Sequence, residues 1–295
     1  MNIEVIKEAA KQFWHYPFPL PPAEIHVEQL GNGLINHTYR ITDDSNCNSI
    51  VLQAINTHVF PKPYDILFNY LLVYDCLKNK NGSIHIPPPI AAANGNFLWV
   101  DDQNNHWRAT AFIKDSYAQA LASDEKAAFT VANCFATFTG ALSSLPINAV
   151  KEIIPDFHNL IFRNEQFERA VENASVILLS KATHIIAELR QKQNLVDFFQ
   201  FIQDDLDYPN RVVHHDCKIT NILFDKKTDQ AICPVDMDTI MPGKFFSDPG
   251  DMIRTMACTV DENSADWEAI EIRPAFYKAI LAGYLKGMGN VFSVN

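Results

Sequence analysis

Residues 213–223 read VHHDCKITNIL, a run in which polar residues interrupt two apolar segments. Three of the polar residues, His214, Asp216 and Asn221, form the pattern H-x-D-x4-N. This pattern alone would occur in roughly one chain in a hundred of this size, so its context has to support it. The apolar flanks give that support, because they predict short strands that hold the polar residues at the edge of a core.

A hairpin is predicted directly after this run. Its two strands, Ile222–Phe224 and Ala231–Val235, are joined by the polar turn DKKTDQ at 225–230. The second strand ends on Asp236, so the hairpin would return this carboxylate beside Asn221. The alternative, a surface hairpin with scattered acidic residues, does not explain why the acidic residues recur at a spacing suited to a metal site.

These residue types suit the transfer of a phosphoryl group, which needs mainly positioning and charge compensation from a protein. Asp216 is the candidate base for the hydroxyl of an acceptor, and Lys218 is the candidate cation beside the transferred group. Mg²⁺ prefers oxygen ligands and keeps several waters, so Asn221 and Asp236 suffice as its predicted protein ligands. Asp238 completes a D-x-D pattern and either shares the metal site or is simply solvated.

Three neighbouring residues are expected to support this loop rather than to react. His214 is predicted to pack the loop from inside. Asp248 and Asp251, in the segment DPGDMIR, are predicted to cap a helix or to fix the loop through hydrogen bonds.

Residues 30–39, LGNGLINHTY, predict a strand, a turn and a second strand. Glycines would let the backbone approach phosphates, whose oxygens the N–H groups could bind. Gly31, Asn32, Gly33 and Asn36 are therefore candidate nucleotide-binding residues. The alternative is an ordinary hairpin, since Asn-Gly is a frequent hairpin turn.

The next strand, VLQAIN at 51–56, carries Gln53 where a kinase usually has a lysine for the α- and β-phosphates. Gln53 is the candidate for that position, although an amide brings no charge. Downstream, the stretch 107–114 leads into a helical region. If it is a hinge, the backbone at Phe112 and Ile113 would meet the nucleobase; a buried linker strand fits the stretch equally well.

The order of patterns predicts an α+β fold with a small β-rich lobe at 1–114 and a larger helical lobe at 115–295. Alternating residues predict strands at 24–29, 37–42, 50–55, 97–100 and 107–112, with one helix at 64–78. Helical spacing follows, first from Ser123 and then at 165–191, 195–205 and 267–286. A ligand would lie in the cleft between the lobes.

The composition limits which classes of ligand the protein is expected to bind and where it is expected to be located. The net charge of −11 argues against a nucleic-acid backbone as ligand. We find no apolar run long enough for a membrane span, no secretory signal pattern and no C-x-x-C pair. A cytoplasmic protein that binds a small molecule is therefore expected.

Together the segments GNGLINHTY, VLQAIN, HHDCKITN and VDMDTIMPG resemble the aminoglycoside phosphotransferase and choline kinase superfamily, and within it the N-acetylhexosamine 1-kinase-like branch. The resemblance covers about residues 28–256. It implies a protein-kinase-like fold, ATP and Mg²⁺ as cofactors, and Asp216 as the base. It also implies that Asn221 and Asp236 bind the metal, that Asp238 lies in the same site, and that Gln53 is a trait of the branch.

The resemblance implies phosphorylation of the anomeric hydroxyl of an N-acetylhexosamine. Kinases for choline, homoserine, aminoglycosides or other sugars share the same loop and stay open as alternatives. A nucleotide-binding pseudokinase is a further alternative because of Gln53. Relatives usually continue for several dozen residues beyond the position of residue 295; if the sequence is truncated there, part of the acceptor pocket is missing from it.

Overall fold

The computed structural model describes residues 1–14, 24–31, 35–43, 48–80, 84–260, 264–266 and 268–292. An antiparallel sheet forms most of the N-terminal part, and helices dominate the C-terminal part. This arrangement confirms the predicted α+β fold with two lobes.

The N-terminal sheet is antiparallel, in the order β1-β2-β3-β6-β4, with β5 paired to β6. Its strands are β1 (His26–Gln29), β2 (His37–Asp43), β3 (Asn48–Ile55), β4 (Pro89–Ile90), β5 (Trp99–Val100) and β6 (His106–Ala111). Strands were thus predicted at close to the right places, and the predicted strand at 97–100 shortens to two residues.

Helix α1 (Ile3–Phe13) was not predicted. It begins where the Asn2 side chain accepts a hydrogen bond from the Glu4 N–H group. Ile6, Ala9, Ala10 and Phe13 recur at helical spacing and are buried. They pack with Leu52, Trp107 and Ala109, so α1 covers one face of the sheet. The opposite face is left for the C-terminal lobe.

Helix α2 (Pro63–Lys78) connects the sheet to the other lobe. Its buried Asn69 donates from Nδ2 to the carbonyl oxygens of Lys151 and Ile240, both at 2.8 Å. The Asn69 amide oxygen accepts from the Lys151 N–H group at 2.8 Å. One side chain of α2 therefore joins two separate segments of the C-terminal lobe.

Helices make up most of the C-terminal lobe, and its described strands form two small sheets. Its strands are β7 (Ser116–Ala118), β8 (Asn210–Val213), β9 (Ile222–Asp225), β10 (Ala231–Pro234) and β11 (Met241–Lys244), in the orders β10-β9-β7 and β11-β8. Its helices are α3 (Glu125–Ala141), α4 (Leu160–Glu172), α5 (Val176–Arg190), α6 (Gln193–Gln203), α7 (Ser247–Met252), which continues as a π-helix over Ile253–Ala257, and α8 (Pro274–Met288).

Two helix boundaries differ from the prediction. The predicted helix at 165–191 is two helices, because Asn173 ends α4 and the Ser175 hydroxyl caps α5. The last helix begins at Pro274 rather than at Trp267, and Trp267 lies outside the described residues. Proline at the first position suits a helix start, since its missing N–H would have no partner there.

Strand β7 pairs with β9 of the β9–β10 hairpin, so the chain joins this small sheet directly after the predicted lobe boundary. The division at 114 and 115 itself stays a prediction. Within the described ranges, no helix is both long and apolar enough to cross a membrane.

Candidate active site

The loop between β8 and β9 is held from inside the lobe. His214 is fully buried, with its ring edge-on to Phe135 and Phe138, and its Nε2 lies 3.0 Å from the Val235 carbonyl oxygen. These contacts agree with a structural role for His214.

The Asp248 side chain holds the backbone of the same loop. It is fully buried and accepts hydrogen bonds from the N–H groups of His214 at 3.2 Å and His215 at 2.9 Å. Asp251 lies nearby and pairs with Arg254 at 2.8 Å. Burial raises the pKa of Asp251. Asp248 thus fixes the loop through hydrogen bonds, one of the two roles expected for these acids.

Asp216, Lys218 and Asn221 meet at the end of this loop. The Lys218 ammonium lies 3.1 Å from Asp216 Oδ1. The Asn221 amide nitrogen donates to Asp216 Oδ2 and to the Asp216 carbonyl oxygen, each at 2.9 Å. A 3₁₀ turn over Ile219–Asn221 permits this approach. The carboxylate is therefore oriented on both oxygens, and the Asn221 amide oxygen is the atom that could face a cation.

Asp236 is brought to the same place by the hairpin of β9 and β10, because the Val235 N–H group donates to the Asn221 carbonyl oxygen at 2.9 Å. Asp236 has φ 60°, a left-handed conformation that non-glycine residues rarely adopt and that occurs often at functional sites.

The electrostatics of Asp236 suit a cation. The residue as a whole is exposed to solvent, yet protein atoms crowd its carboxylate. Desolvation, followed by the charges of Asp238 and Asp216, raises the pKa of Asp236 to about 7. A divalent ion would relieve this repulsion, and Asn221 with Asp236 offers the oxygen ligands that Mg²⁺ prefers. In the described ranges, no cluster of three or more His, Cys, Asp or Glu side chains could hold a metal.

Asp238 is buried and already engaged on both oxygens. Oδ1 pairs with the Arg108 guanidinium, and Oδ2 accepts from the Asn36 amide at 2.6 Å. As a metal ligand it would have to share an oxygen with one of these partners. Its ligation of a metal stays a prediction.

Of the candidate nucleotide-binding residues in the N-terminal lobe, Asn36 lies at this contact with Asp238. Gly31 has φ 64°, where glycine is favoured. Asn32 and Gly33 lie outside the described residues. The amide oxygen of Asn36 accepts from the Asn56 N–H group at 2.8 Å, so Asn36 links the lobes through Asp238.

Gln53 lies on β3 directly opposite Arg108 on β6. Its amide oxygen accepts from Arg108 Nε at 2.9 Å, and its amide nitrogen donates to Thr38 Oγ1 at 2.9 Å. The sequence analysis did not single out Arg108. A signal existed, because an uncharged Gln53 leaves the sheet without its usual cation and Arg108 lies on the neighbouring strand.

The predicted hinge follows β6 directly. The Arg40 guanidinium stacks 4.2 Å from the centre of the Phe112 ring, and the Ile113 carbonyl accepts from Ser116 Oγ at 2.6 Å. The Ser116–Ile113 hydrogen bond closes a tight turn directly after β6. Their contact with a nucleobase stays a prediction.

A cavity of about 340 Å³ lies on the C-terminal side of the loop. Its wall is mixed, and the polar residues in it are Glu152, Asp156, His158, Asn159, Gln203, Asn210, His215, Lys244 and Ser247. The rings of His158 and His215 meet with their Nδ1 atoms 3.1 Å apart. Burial lowers the pKa of both, that of His215 to about 4, so the pair is neutral near pH 7.

Comparison with known proteins identifies the family and the fold of the chain. The family model described as the phosphotransferase enzyme family matches residues 26–291. A spectinomycin phosphotransferase in complex with ADP and spectinomycin has a TM-score of 0.61 at 16% identity, over 100% of this chain and 82% of that chain. A microcompartment-associated aminopropanol kinase has a TM-score of 0.63 at 14% identity, over 96% and 80%.

An ethanolamine kinase from Plasmodium vivax has a TM-score of 0.57 at 16% identity, over 96% of this chain and 74% of that chain. These likenesses confirm the predicted protein-kinase-like fold, and the family model confirms the predicted superfamily. The chain belongs to the phosphotransferase enzyme family.

Proposed function

We propose that this chain is a kinase that transfers the γ-phosphoryl group of ATP to a hydroxyl of a small molecule, the anomeric hydroxyl of an N-acetylhexosamine. One observation carries the proposal. Asp216 lies 3.1 Å from Lys218 and 2.9 Å from Asn221, and the hairpin brings Asp236 to the same place. Base, cation and two oxygen ligands thus meet at one point of the cleft.

In this proposal each residue has one task. Asp216 accepts the proton of the acceptor hydroxyl while the hydroxyl oxygen attacks the γ-phosphorus of ATP. General-base catalysis of this kind typically contributes about 10²–10⁴-fold in rate. Asn221 and Lys218 orient the carboxylate, and Lys218 also balances charge on the transferred group. Asn221 and Asp236 would hold Mg²⁺, with Asp238 beside them. When bound, Mg²⁺ supplies positive charge at the β- and γ-phosphates.

The cavity supports a sugar as acceptor. His215 lines it and directly precedes Asp216 in the chain. Carboxylates accept hydrogen bonds from hydroxyl groups, whereas amides and neutral imidazoles both accept and donate them. Phe157 and Phe199 add apolar ring surface to the same wall. A polar compound with several hydroxyl groups suits such a wall.

A cationic alcohol is the second candidate acceptor. Glu152 and Asp156 place two carboxylates on the cavity wall, while the Lys244 ammonium donates to the carbonyl oxygens of Gln203 at 2.8 Å and Tyr208 at 2.6 Å. The names of the similar structures include ethanolamine and aminopropanol kinases. An acidic wall suits choline or an aminoglycoside.

A coupled assay of ADP release with Mg-ATP and a panel of acceptors separates these readings. The panel contains N-acetylhexosamines, hexoses, choline, ethanolamine, homoserine and aminoglycosides, with an acceptor-free reaction as control. We expect turnover on an N-acetylhexosamine. Turnover only on a cationic alcohol would keep the kinase and replace the acceptor. ATP binding without turnover on any acceptor would favour a pseudokinase.

A further inference from the structure

A nucleoside triphosphate in the cleft needs positive charge from the N-terminal lobe. Gln53, at the expected position, is neutral and already uses both ends of its amide, toward Arg108 and Thr38. Its amide therefore has little left to offer a phosphate. Another residue on the same face of the sheet is an alternative source of positive charge.

Arg108 lies on that face. Gln53 and Arg108 are direct partners in the β3–β6 register, so their side chains project to the same side. Their neighbours Leu52, Trp107 and Ala109 project to the other side and pack with α1. Arg108 consequently faces the C-terminal lobe, where it pairs with Asp238 of the candidate metal site.

The guanidinium is only partly satisfied. Arg108 is 7% exposed, and Nε and Nη2 both donate to the Gln53 amide oxygen while Nη2 also reaches Asp238. Within the part of the chain that the structure describes, the buried Nη1 has no hydrogen-bond partner. A buried donor without a partner is unfavourable and calls for an anionic or polar occupant.

We propose that Arg108 binds the phosphate oxygens of the donor nucleotide through Nη1, and so supplies from β6 the charge that β3 lacks. The inference rests on the proposed function, since it requires a nucleotide in the cleft. A guanidinium suits the task because its planar fork can serve Gln53, Asp238 and a phosphate at once, whereas an ammonium is a single point of charge. Gln53 then acts as a positioning residue for Arg108.

Binding of a series of ligands tests this without turnover. Dissociation constants for ATP, ADP, AMP and adenosine are measured by calorimetry with Mg²⁺, for the wild type and Arg108→Gln. We expect a loss of about 10- to 100-fold for ATP, a smaller loss for AMP, and less than about twofold for adenosine. Arg211→Gln, which removes an arginine from β8, is the matched control and should bind all four as the wild type does.

The double variant Gln53→Lys/Arg108→Gln returns the cation to β3. It should recover at least part of the ATP affinity and leave the adenosine affinity unchanged. A purely structural role of the Arg108–Asp238 ion pair would not predict this recovery. Equal losses for ATP and adenosine, or no loss for ATP, would overturn the inference. Should Arg108→Gln fail to fold by circular dichroism, Arg108→Lys replaces it, and a loss without dependence on phosphate number would overturn the inference.

The two proposals fail in different ways. If the wild type binds none of the four ligands, the proposed function itself is wrong. If the wild type binds ATP and Arg108→Gln binds it equally well, the kinase proposal stands and only the role of Arg108 is lost.

Discussion

Asp236 illustrates how one residue links stability to metal binding. In the metal-free protein, crowding of the carboxylate by protein atoms and the charges of Asp238 and Asp216 raise the pKa of Asp236 from 3.8 to about 7, although the residue is exposed to solvent. Between these two pH values the folded state binds a proton that the unfolded state does not bind. The contribution of Asp236 to the free energy of unfolding therefore falls as pH rises from about 4 to 7, and it is constant above that window.

We expect Asp236→Asn to remove this dependence. Urea midpoints in EDTA, measured from pH 5 to 8.5, should show the variant gaining stability relative to the wild type as pH rises toward 7. Taking the difference between the two proteins cancels the contribution that other titrating groups, such as His215, make to the pH dependence of stability. A stability difference that does not change with pH would contradict the environment assigned to Asp236.

Gly243 sets the position of the ring that precedes Asp216 in the chain. A Cβ atom at Gly243 would lie 2.5 Å from Cε1 and 2.6 Å from Nε2 of His215. Gly243→Ala should therefore shift His215 and the loop, and displacements of about 1 Å can cost about 100-fold in kcat. Steady-state kinetics check this, with Gly140→Ala as control because its nearest neighbour is 3.6 Å away. Wild-type activity of Gly243→Ala would contradict the claim that the contact between Gly243 and His215 positions the loop.

For single residues, the sequence predicts contacts best when the two partners lie close together in the chain. Asp216, Lys218 and Asn221 lie within six residues, so one turn brings them together. Arg108 and Asp238 are 130 positions apart, and their contact depends on how two lobes dock. No local pattern reports such a contact, which is why Arg108 was missed and the engagement of Asp238 was not foreseen.

Among the elements, α3 and α8 pack closely because α8 carries glycines at the contact. A Cβ atom at Gly283 would lie 2.4 Å from the Phe129 carbonyl oxygen, and one at Gly287 would lie 2.5 Å from that of Asn133. Neither backbone can move without separating the helices. This contact places α8 behind the helix whose Phe135 and Phe138 support His214.

Gly283→Ala is expected to lower the free energy of unfolding by about 1–3 kcal/mol through overpacking. Urea denaturation measures the change. Gly250→Ala is the control, because no described atom lies within 4 Å of its Cβ position, and it should stabilise by up to about 1 kcal/mol through helix propensity. Equal effects of the two substitutions would argue against the close approach of α3 and α8.

Element boundaries show where periodicity misleads. The apolar residues of α1 keep helical spacing, but the strand patterns that follow directed the interpretation of the first hundred residues toward β-structure. At 165–191 the apolar spacing continues across the break between α4 and α5, and only the short polar segment Asn173–Ser175 marks it. Capping residues carried this information better than periodicity did.

On the scale of the whole molecule, Asp238 joins the lobes by binding Arg108 and Asn36. Nucleotide and metal would lie across this junction, so their binding should stabilise both lobes together. With Mg-ATP at 100 times its Kd, we expect the free energy of unfolding to increase by about 2.7 kcal/mol. Chemical denaturation with and without EDTA tests this, and an EDTA-insensitive effect would argue against a metal at Asn221 and Asp236.

The central claim is that Asp216 activates an acceptor hydroxyl for attack on ATP. The direct test is a single-turnover measurement of γ-phosphoryl transfer by Asp216→Asn, with the Kd for Mg-ATP determined on the same protein. We predict an affinity within about threefold of the wild type, because the residue faces the acceptor, and a transfer rate lower by about 10²–10⁴-fold. An unchanged rate at an unchanged Kd would contradict the account.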